Sequence, residues 1–308
     1  ESLGDYTNFT NRSLNLDATV LANYSKEINE DFKLTASAGY NFFQRERKSL
    51  TGSTVGGLVV DGVYNLSNSV QSPTSNMFRS KYRIFGALAN ATLGYKNAAF
   101  LELSARNDWS STLPSENNSF FYGAVGGSIV FTDLFDILNY GKLRGSYGTS
   151  GKDAGLYQLN STFTGNPNIV NLGDFALFFP IGSTPGFTLG NFIGNPALKP
   201  ELTTTYEVGA DLGFFENKVN VAYTYYHSNH DDQIVTIGLP RSTGYTQTAV
   251  NIGRMENKGH ELTLTLKPLS GVIEGLDFEV FGTYSKNENK VVQITDDLDE
   301  LNIANFGF

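Results

Sequence analysis

Apolar and polar residues alternate along several stretches of the chain, first over residues 14–24. There Leu, Leu, Ala, Val, Ala and Tyr occupy every second position, and mostly polar residues lie between them. The pattern resumes over residues 32–42 after a short polar turn. Because successive side chains of a strand point to opposite faces, a period of two predicts strands with one apolar face and one polar face.

The same alternation predicts about ten strands in all. They cover residues 14–24, 32–42, 85–95, 99–105, 121–131, 142–150, 206–214, 219–225, 262–266 and 278–284. The fifth is ambiguous, because both of its faces are largely apolar or glycine. Residues 132–140 are predicted to be a connection with some helical character. Residues 151–200 and 228–258 have no clear period and are predicted to be long loops.

The connections between these strands differ in length in a regular way. They are short after the first, third, fifth, seventh and ninth strands, long after the second, sixth and eighth, and intermediate over residues 108–119. Up-and-down membrane barrels have short periplasmic turns and long extracellular loops. We therefore predict an all-β, antiparallel, up-and-down transmembrane β-barrel wall, with the first and last residues at the extracellular rim. A soluble β-sandwich with an apolar core remains the alternative, although its strands would be shorter.

The cost of misplaced charges indicates which face meets lipid. Slipping the first two strands by one residue would turn Asp17 and Lys33 outward, and a Lys at the bilayer midplane costs about 2–4 kcal/mol. We therefore assign the apolar faces to lipid and the polar faces to the lumen. The lumen-facing candidates are Asp17, Lys33, Glu102, Arg106, Arg144, Glu207, Asp211 and Glu261.

Composition narrows the class of protein further. Only 17% of the residues are charged, and no apolar run approaches the roughly 18 residues that a membrane helix needs. The net charge of −9 argues against nucleic acid as a partner. Without cysteine there is neither a disulfide framework nor a thiolate metal site. The first residues lack the features of a signal peptide.

No constellation of residues predicts an enzyme, a metal site or a cofactor. His227, His230, Asp231 and Asp232 lie close together, but we expect a solvated loop there because the spacing has no fixed ligand geometry. The acidic residues at 296–300 lack the spacing of a calcium loop. Residues 145–153 fail the phosphate-loop pattern at positions 146 and 153.

Phenylalanine is concentrated in the long segment before residue 195. The substrate- or partner-contact candidates are Phe163, Phe175, Phe178, Phe179, Phe187 and Phe192. Three interpretations stay open for them: packing of the loop into a compact lid, contact with a partner lipoprotein, and contact with substrate.

Four stretches resemble the barrel of SusC/RagA-type TonB-dependent outer-membrane transporters. They are residues 195–226, 253–264, 141–151 and, more loosely, 104–111. The matching motif residues are Asn195, Pro196, Leu198, Lys199, Pro200, Glu201, Glu207, Gly209, Asn257, Lys258 and Gly259. Physically, the two prolines keep the entry to a strand extended, and Asn-Lys-Gly is a turn-type sequence. We therefore interpret these motif residues as folding and register devices. Lys152 and Asp153 depart from the family, which usually has Asn there.

The resemblance implies a barrel of roughly 22 strands, of which residues 1–308 would be a partial outer-membrane barrel domain without plug domain, TonB box or closing strands. It also implies import of a glycan fragment or a peptide across the outer membrane. The implied partners are a SusD-like surface lipoprotein and the TonB-ExbB-ExbD complex. A passive porin, a barrel-anchored adhesin and a soluble glycan-binding β-sandwich are the alternatives.

Overall fold

The computed structural model describes residues 4–135, 138–165, 170–172, 175–177, 179–269, 276 and 278–293. Its strands in chain order are β1 Thr7–Glu27, β2 Phe32–Leu58, β3 Ser69–Tyr95, β4 Ala99–Ser110, β5 Ser119–Phe135, β6 Leu138–Lys152, β7 Phe163–Gly165, β8 Val170–Leu172, β9 Phe175–Leu177, β10 Phe187–Leu189, β11 Phe192–Ile193, β12 Glu201–Phe214, β13 Val219–Asp231, β14 Ile234–Gly238, β15 Gln247–Asn251, β16 Arg254–Leu266 and β17 Val280–Gln293. Two short 3-10 turns cover Leu66–Asn68 and Arg241–Thr243. No helix in these ranges is long and apolar enough to span a membrane.

Ten of these strands form one sheet. They follow one another in chain order, β1-β2-β3-β4-β5-β6-β12-β13-β16-β17. Neighbouring strands from β4 to β17 are antiparallel. All ten strands predicted from the alternation are therefore confirmed. We call the end with residues 28–31, 96–98 and 215–218 the short-turn end, and the end with residues 111–118, 153–200 and 232–253 the long-loop end.

The short turns follow from local backbone geometry. Lys96 and Asn97 both have positive φ angles, of 50° and 55°, and the amide of Ala98 donates to the carbonyl of Tyr95 at 2.8 Å. Two central residues with positive φ make the type of turn whose twist matches that of the strands it joins. The short connection predicted after the third strand is thus confirmed.

Several predicted connections are strands instead. β2 continues to residue 58 and β3 begins at residue 69, so the long connection expected between them is mostly strand. Residues 132–135 and 138–140 also belong to strands rather than to a partly helical connection. β13 and β16 extend well into the predicted loop 228–258. Beyond the part of the sheet that has an apolar face, a strand can be polar on both sides. Its alternation of apolar and polar residues then disappears, although its backbone hydrogen bonds to the neighbouring strands continue.

The chain divides into two compact units. The first comprises residues 1–20 and 41–85, of which the structure describes residues from 4 onward, and the second comprises residues 21–40 and 86–308. In the first unit the amide of Asn41 donates to Asp17 and to Thr19, at 2.9 Å each, and Lys81 pairs with Glu46 at 2.6 Å. The second unit holds the candidate site.

Within the second unit, the residues buried most completely lie at the long-loop end and not between sheet faces. The buried apolar side chains there are Leu113, Phe120, Ala154, Leu198 and Ala249. By contrast, large apolar side chains on one face of the sheet are half exposed, among them Ile129, Leu143 and Val208. A contiguous apolar face of this kind marks a surface that meets lipid or another protein.

Candidate functional site

The cross-strand register places most of the predicted lumen residues on one face of the second unit. Residues directly opposite each other in a sheet share a face. Glu102 is linked through Gly126 and Ser146 to Glu207, and Arg144 is linked through Gly209 and Thr224 to Glu261. Asp211 lies two residues from Gly209 on β12, and Arg106 lies four residues from Glu102 on β4. An even separation keeps side chains on the same face of a strand, so both residues belong to this face. That this face lines a lumen stays a prediction. Lys33 is on β2, and Asp17 contacts Asn41 in the first unit.

Arg144 is the centre of the polar face. Its guanidinium donates to Glu207, lies 3.8 Å (Nε) from Asp211 Oδ2, and donates to Thr224 Oγ1 at 2.6 Å. All three charged side chains are about one-third exposed. Arg144 therefore ties β6 to β12 and β13, and it partly neutralises two carboxylates.

Gly209 makes the room that Arg144 needs. The two residues are direct cross-strand neighbours, and a Cβ at position 209 would lie 2.8 Å from Arg144 Cζ. Real Cβ atoms essentially never come so close. The glycine of the family motif thus lets the guanidinium lie over position 209, and a Cβ there would force this flexible side chain to shift, a pairing that the sequence does not indicate by itself.

A second charged cluster lies on this face nearer the long-loop end. Arg106 Nε is 2.7 Å from Asp108 Oδ1, and the hydroxyl of Tyr122 donates to Asp108 Oδ2 at 2.7 Å. Asp108 is only 4% exposed, so these two partners supply the hydrogen bonds that a buried carboxylate requires. The sequence singled out Arg106 but missed Asp108, although both belong to the stretch 104–111.

The motif residues before β12 join the loops of the long-loop end. The side-chain amide of Asn195 donates to the carbonyl of Ala249 at 2.9 Å. Asn251 exchanges two hydrogen bonds with the backbone of Lys199, each 2.8 Å long. Leu198 is fully buried, and its carbonyl accepts from Asn117 at 3.3 Å. These contacts agree with the interpretation of residues 195–201 as a folding device.

Two carboxylates, the buried Glu201 and the half-buried Asp153, fasten the loops to the strand ends. Glu201, which is 8% exposed, pairs with Lys152 at 2.9 Å and accepts from the amide of Ile234 at 3.0 Å. Asp153 accepts from the hydroxyls of Ser110 and Thr112. Asp153 departs from the family pattern, which usually has Asn there, but its side chain still presents an oxygen that accepts hydrogen bonds. In the adjoining loop, the amide of Glu116 itself and then the hydroxyl of Ser115 lower the pKa of the Glu116 carboxyl.

The loop phenylalanines whose side chains the structure describes do not form one packed cluster. Phe163 and Phe187 lie on one face of the β7–β10 ribbon and are 66% and 71% exposed. Phe179 lies against Gly186, and Phe192 is half-buried in β11. The side chain of Phe175 and the whole of Phe178 lie outside the described residues. The exposure of Phe163 and Phe187 gives no support to the packed-lid interpretation, and contact with a partner lipoprotein or with substrate stays a prediction for them.

The predicted histidine loop is a strand. His227 and His230 both lie in β13, three residues apart, so their side chains point to opposite faces and cannot bind one ion together. His227 stacks on Tyr206, and His230 Nδ1 is 2.9 Å from Thr203 Oγ1. No group of three or more metal-ligating side chains occurs in the part of the chain that the structure describes. The acidic residues 296–300 lie outside that part.

The motif Asn257-Lys258-Gly259 also lies within a strand, not at a turn. It belongs to β16, where Gly259 faces Tyr226. A Cβ at position 259 would lie 2.5 Å from the Tyr226 hydroxyl oxygen and 2.7 Å from the carbonyl oxygen of Lys286. This glycine, like Gly209, leaves room for a large side chain from the neighbouring strand.

Comparison with known proteins identifies the family to which this sequence is similar. The family model described as "TonB dependent receptor-like, beta-barrel" matches residues 2–305. TonB-dependent receptor P26 of Formosa agariphila is 28% identical over 289 residues, which are 88% of this chain and 27% of that protein. TonB-dependent receptor SusC of Bacteroides thetaiotaomicron is 28% identical over 217 residues, 68% of this chain and 21% of that protein. The chain thus spans about a quarter of the length of the curated relatives it matches.

Comparison with solved structures agrees with the family match. The solved "Structure of the RagAB peptide transporter" matches with a TM-score of 0.80 and 22% identity, covering 95% of this chain and 32% of that one. The fold is therefore an all-β sheet that corresponds to part of an integral outer-membrane β-barrel, and the resemblance to SusC/RagA-type receptors is confirmed. The chain belongs to the TonB-dependent receptor-like β-barrel family.

Proposed function

We propose that this chain forms part of the wall of an outer-membrane transporter that imports a nutrient, either a glycan fragment or a peptide. Residues 1–308 would supply about ten of roughly 22 barrel strands. The observation that carries the proposal is one continuous antiparallel sheet with an exposed apolar face, a charged opposite face and interlocked loops at one end. A wall between lipid and a polar passage requires these features together.

The charges of the polar face favour a peptide over a neutral glycan. Arg144 and Lys142, which lies directly opposite Asp211, balance the carboxylates of Glu207 and Asp211. Glu102 and Glu261 then leave two net negative charges on the same face. Such a face attracts cationic or zwitterionic cargo and offers a neutral glycan no charge complementarity. The RagAB structure is described as that of a peptide transporter, which supports the same choice.

A SusD-like surface lipoprotein would cover the long-loop end. The exposed Phe163 and Phe187 are candidates for its contact, because exposed aromatic side chains are enriched in protein interfaces. The TonB-ExbB-ExbD complex would supply energy through a plug domain and a TonB box, as the family resemblance implies.

The alternatives explain fewer of the observations. A soluble sandwich needs a second sheet packed on the apolar face, whereas Ile129, Leu143 and Val208 remain about half exposed there. A passive porin would have no need of TonB. A barrel-anchored adhesin would bind its ligand without importing it.

Uptake with and without TonB tests the proposal. The receptor that carries this chain would be expressed in a Gram-negative host beside its neighbouring lipoprotein, and accumulation of labelled peptides and of labelled oligosaccharides would be measured. We expect uptake of one class to be lost when tonB is deleted, at unchanged receptor abundance. Undiminished uptake would instead identify a porin, and surface binding without uptake would identify an adhesin.

A further inference from the structure

The apolar face of the sheet becomes polar at one position along the strands, towards the long-loop end. Nearer the short-turn end this face carries Leu143, Ala210, Tyr223 and Leu262 in one cross-strand row. Four residues further along each strand, the corresponding row consists of Tyr147, Tyr206, His227 and Lys258, and it continues on β17 with Glu288. Beyond this row the same face is polar, with Thr149, Thr204, Asn229 and Glu256. We call the row that begins at Tyr147 the boundary row.

Aromatic rings and imidazoles pack together at and just below the boundary row. Tyr206 stacks on His227, with ring centroids 5.0 Å apart. His260 lies 5.1 Å from the ring of Tyr225, and its Nδ1 is 2.7 Å from the hydroxyl of Tyr223. Rings with a polar edge favour the level where hydrocarbon gives way to headgroups.

Two lysines extend this cluster on β16 and β17. Lys258 Nζ is 3.4 Å from Glu288, and Lys286 Nζ is 2.8 Å from the same carboxylate. Two ammonium groups share one carboxylate, so one positive charge is left over. All three side chains are at least half exposed on the face assigned to lipid.

The distance along the strands agrees with a membrane boundary. Eight residues separate Lys258 from the end of β16 at Leu266. At about 3.4 Å per residue and a tilt of about 40°, this segment rises about 20 Å along the membrane normal, close to the ~25 Å height of the apolar band in outer-membrane barrels.

We propose that the exposed cluster of Lys258, Lys286 and His260, beside the stacked Tyr206 and His227, binds the phosphate groups of outer-leaflet lipid headgroups. The lysines supply the charge, and Nε2 of His260, the ring nitrogen other than the one that contacts Tyr223, supplies a further hydrogen-bond donor. The tyrosines fix the depth at which the headgroups meet the wall. The surface takes part in neither cargo binding nor energy coupling, because it lies on the face opposite Arg144.

A matched pair of lipids tests this site. The full receptor in detergent would be titrated with diphosphoryl lipid A and with the same lipid after removal of both phosphates, and bound lipid would be counted by native mass spectrometry. The test variant is Lys258→Gln with Lys286→Gln, and the control variant is Lys142→Gln with Lys267→Gln, which removes the same charge elsewhere. Each lysine near a charged headgroup contributes about five-fold in affinity.

We expect the wild-type receptor and the control variant to prefer the phosphorylated lipid, and the test variant to lose most of that preference. Glu288→Gln frees both ammonium groups and should strengthen it. An unchanged preference in the test variant would overturn the proposal. So would displacement of the lipid by millimolar inorganic phosphate, because the site would then be a general anion site. Heat-modifiable mobility in gels confirms that each variant is folded.

Discussion

Replacing Arg144 by methionine should destabilise the barrel wall by about 2 kcal/mol. Methionine keeps the length of the side chain but removes a cation that contacts Glu207, Asp211 and Thr224. Removing one partner from a fully buried pair costs about 3–5 kcal/mol, and an exposed pair contributes about 0–1 kcal/mol. Since these side chains are about one-third exposed, the cost should lie between the two ranges.

A double-mutant cycle isolates the interaction itself. Arg144→Met, Glu207→Gln and the double variant would be unfolded with urea in detergent, and the folded fraction read from heat-modifiable mobility. We expect a coupling free energy of about 1 kcal/mol, because neighbours in one network couple by about 0.5–3 kcal/mol. The control is the exposed pair Lys267–Glu279, with Nζ and Oε2 3.0 Å apart, which should couple by less than about 0.5 kcal/mol. A coupling for Arg144 and Glu207 no larger than the control would refute the reasoning.

Three further predictions concern the loops, a motif glycine and the lipid face. Leu198→Ala should cost about 2–5 kcal/mol in the loop cluster and expose the loops of the long-loop end to protease, while the strands remain resistant; unchanged cleavage would contradict this. Gly259→Ala should lower stability by about 1–3 kcal/mol in urea unfolding, whereas Gly282→Ala on the next strand, where a Cβ meets nothing within 4 Å, should be nearly neutral; equal effects would contradict the packing argument. The chain has no cysteine, so single cysteines can be labelled selectively in vesicles with a membrane-impermeant maleimide. Val208→Cys should resist labelling and Thr204→Cys should react; the reverse order would contradict the position of the boundary row.

The ten-stranded sheet could be predicted because each strand carries its own alternation in the apolar band. The prediction stopped short at the outer parts of β2 and β3, where both faces are polar or glycine-rich. Over residues 44–48 the sequence reads Gln-Arg-Glu-Arg-Lys, which has no apolar face although β2 runs through it. Hydrogen bonds to neighbouring strands hold such a segment, and they leave no trace in its hydropathy.

The candidate site could be predicted only in part. Glu207 and Asp211 could be assigned to the polar face by parity alone. Their partner Arg144 lies 63 residues before Glu207, and only the register of β6 against β12 brings them together. The same holds for Asp153, whose hydroxyl donors lie more than 40 residues away.

The sequence by itself determined which side of each strand is apolar, where the short turns lie and which family the chain resembles. These properties are local, since successive side chains of an extended backbone point to opposite faces whatever the strand pairs with. Only the tertiary structure decided which charges meet, why Gly209 and Gly259 are glycines, and that His227 and His230 lie on opposite faces of one strand. Each of these depends on strand register and loop contacts, which arise from hydrogen bonds and packing between residues far apart in the chain.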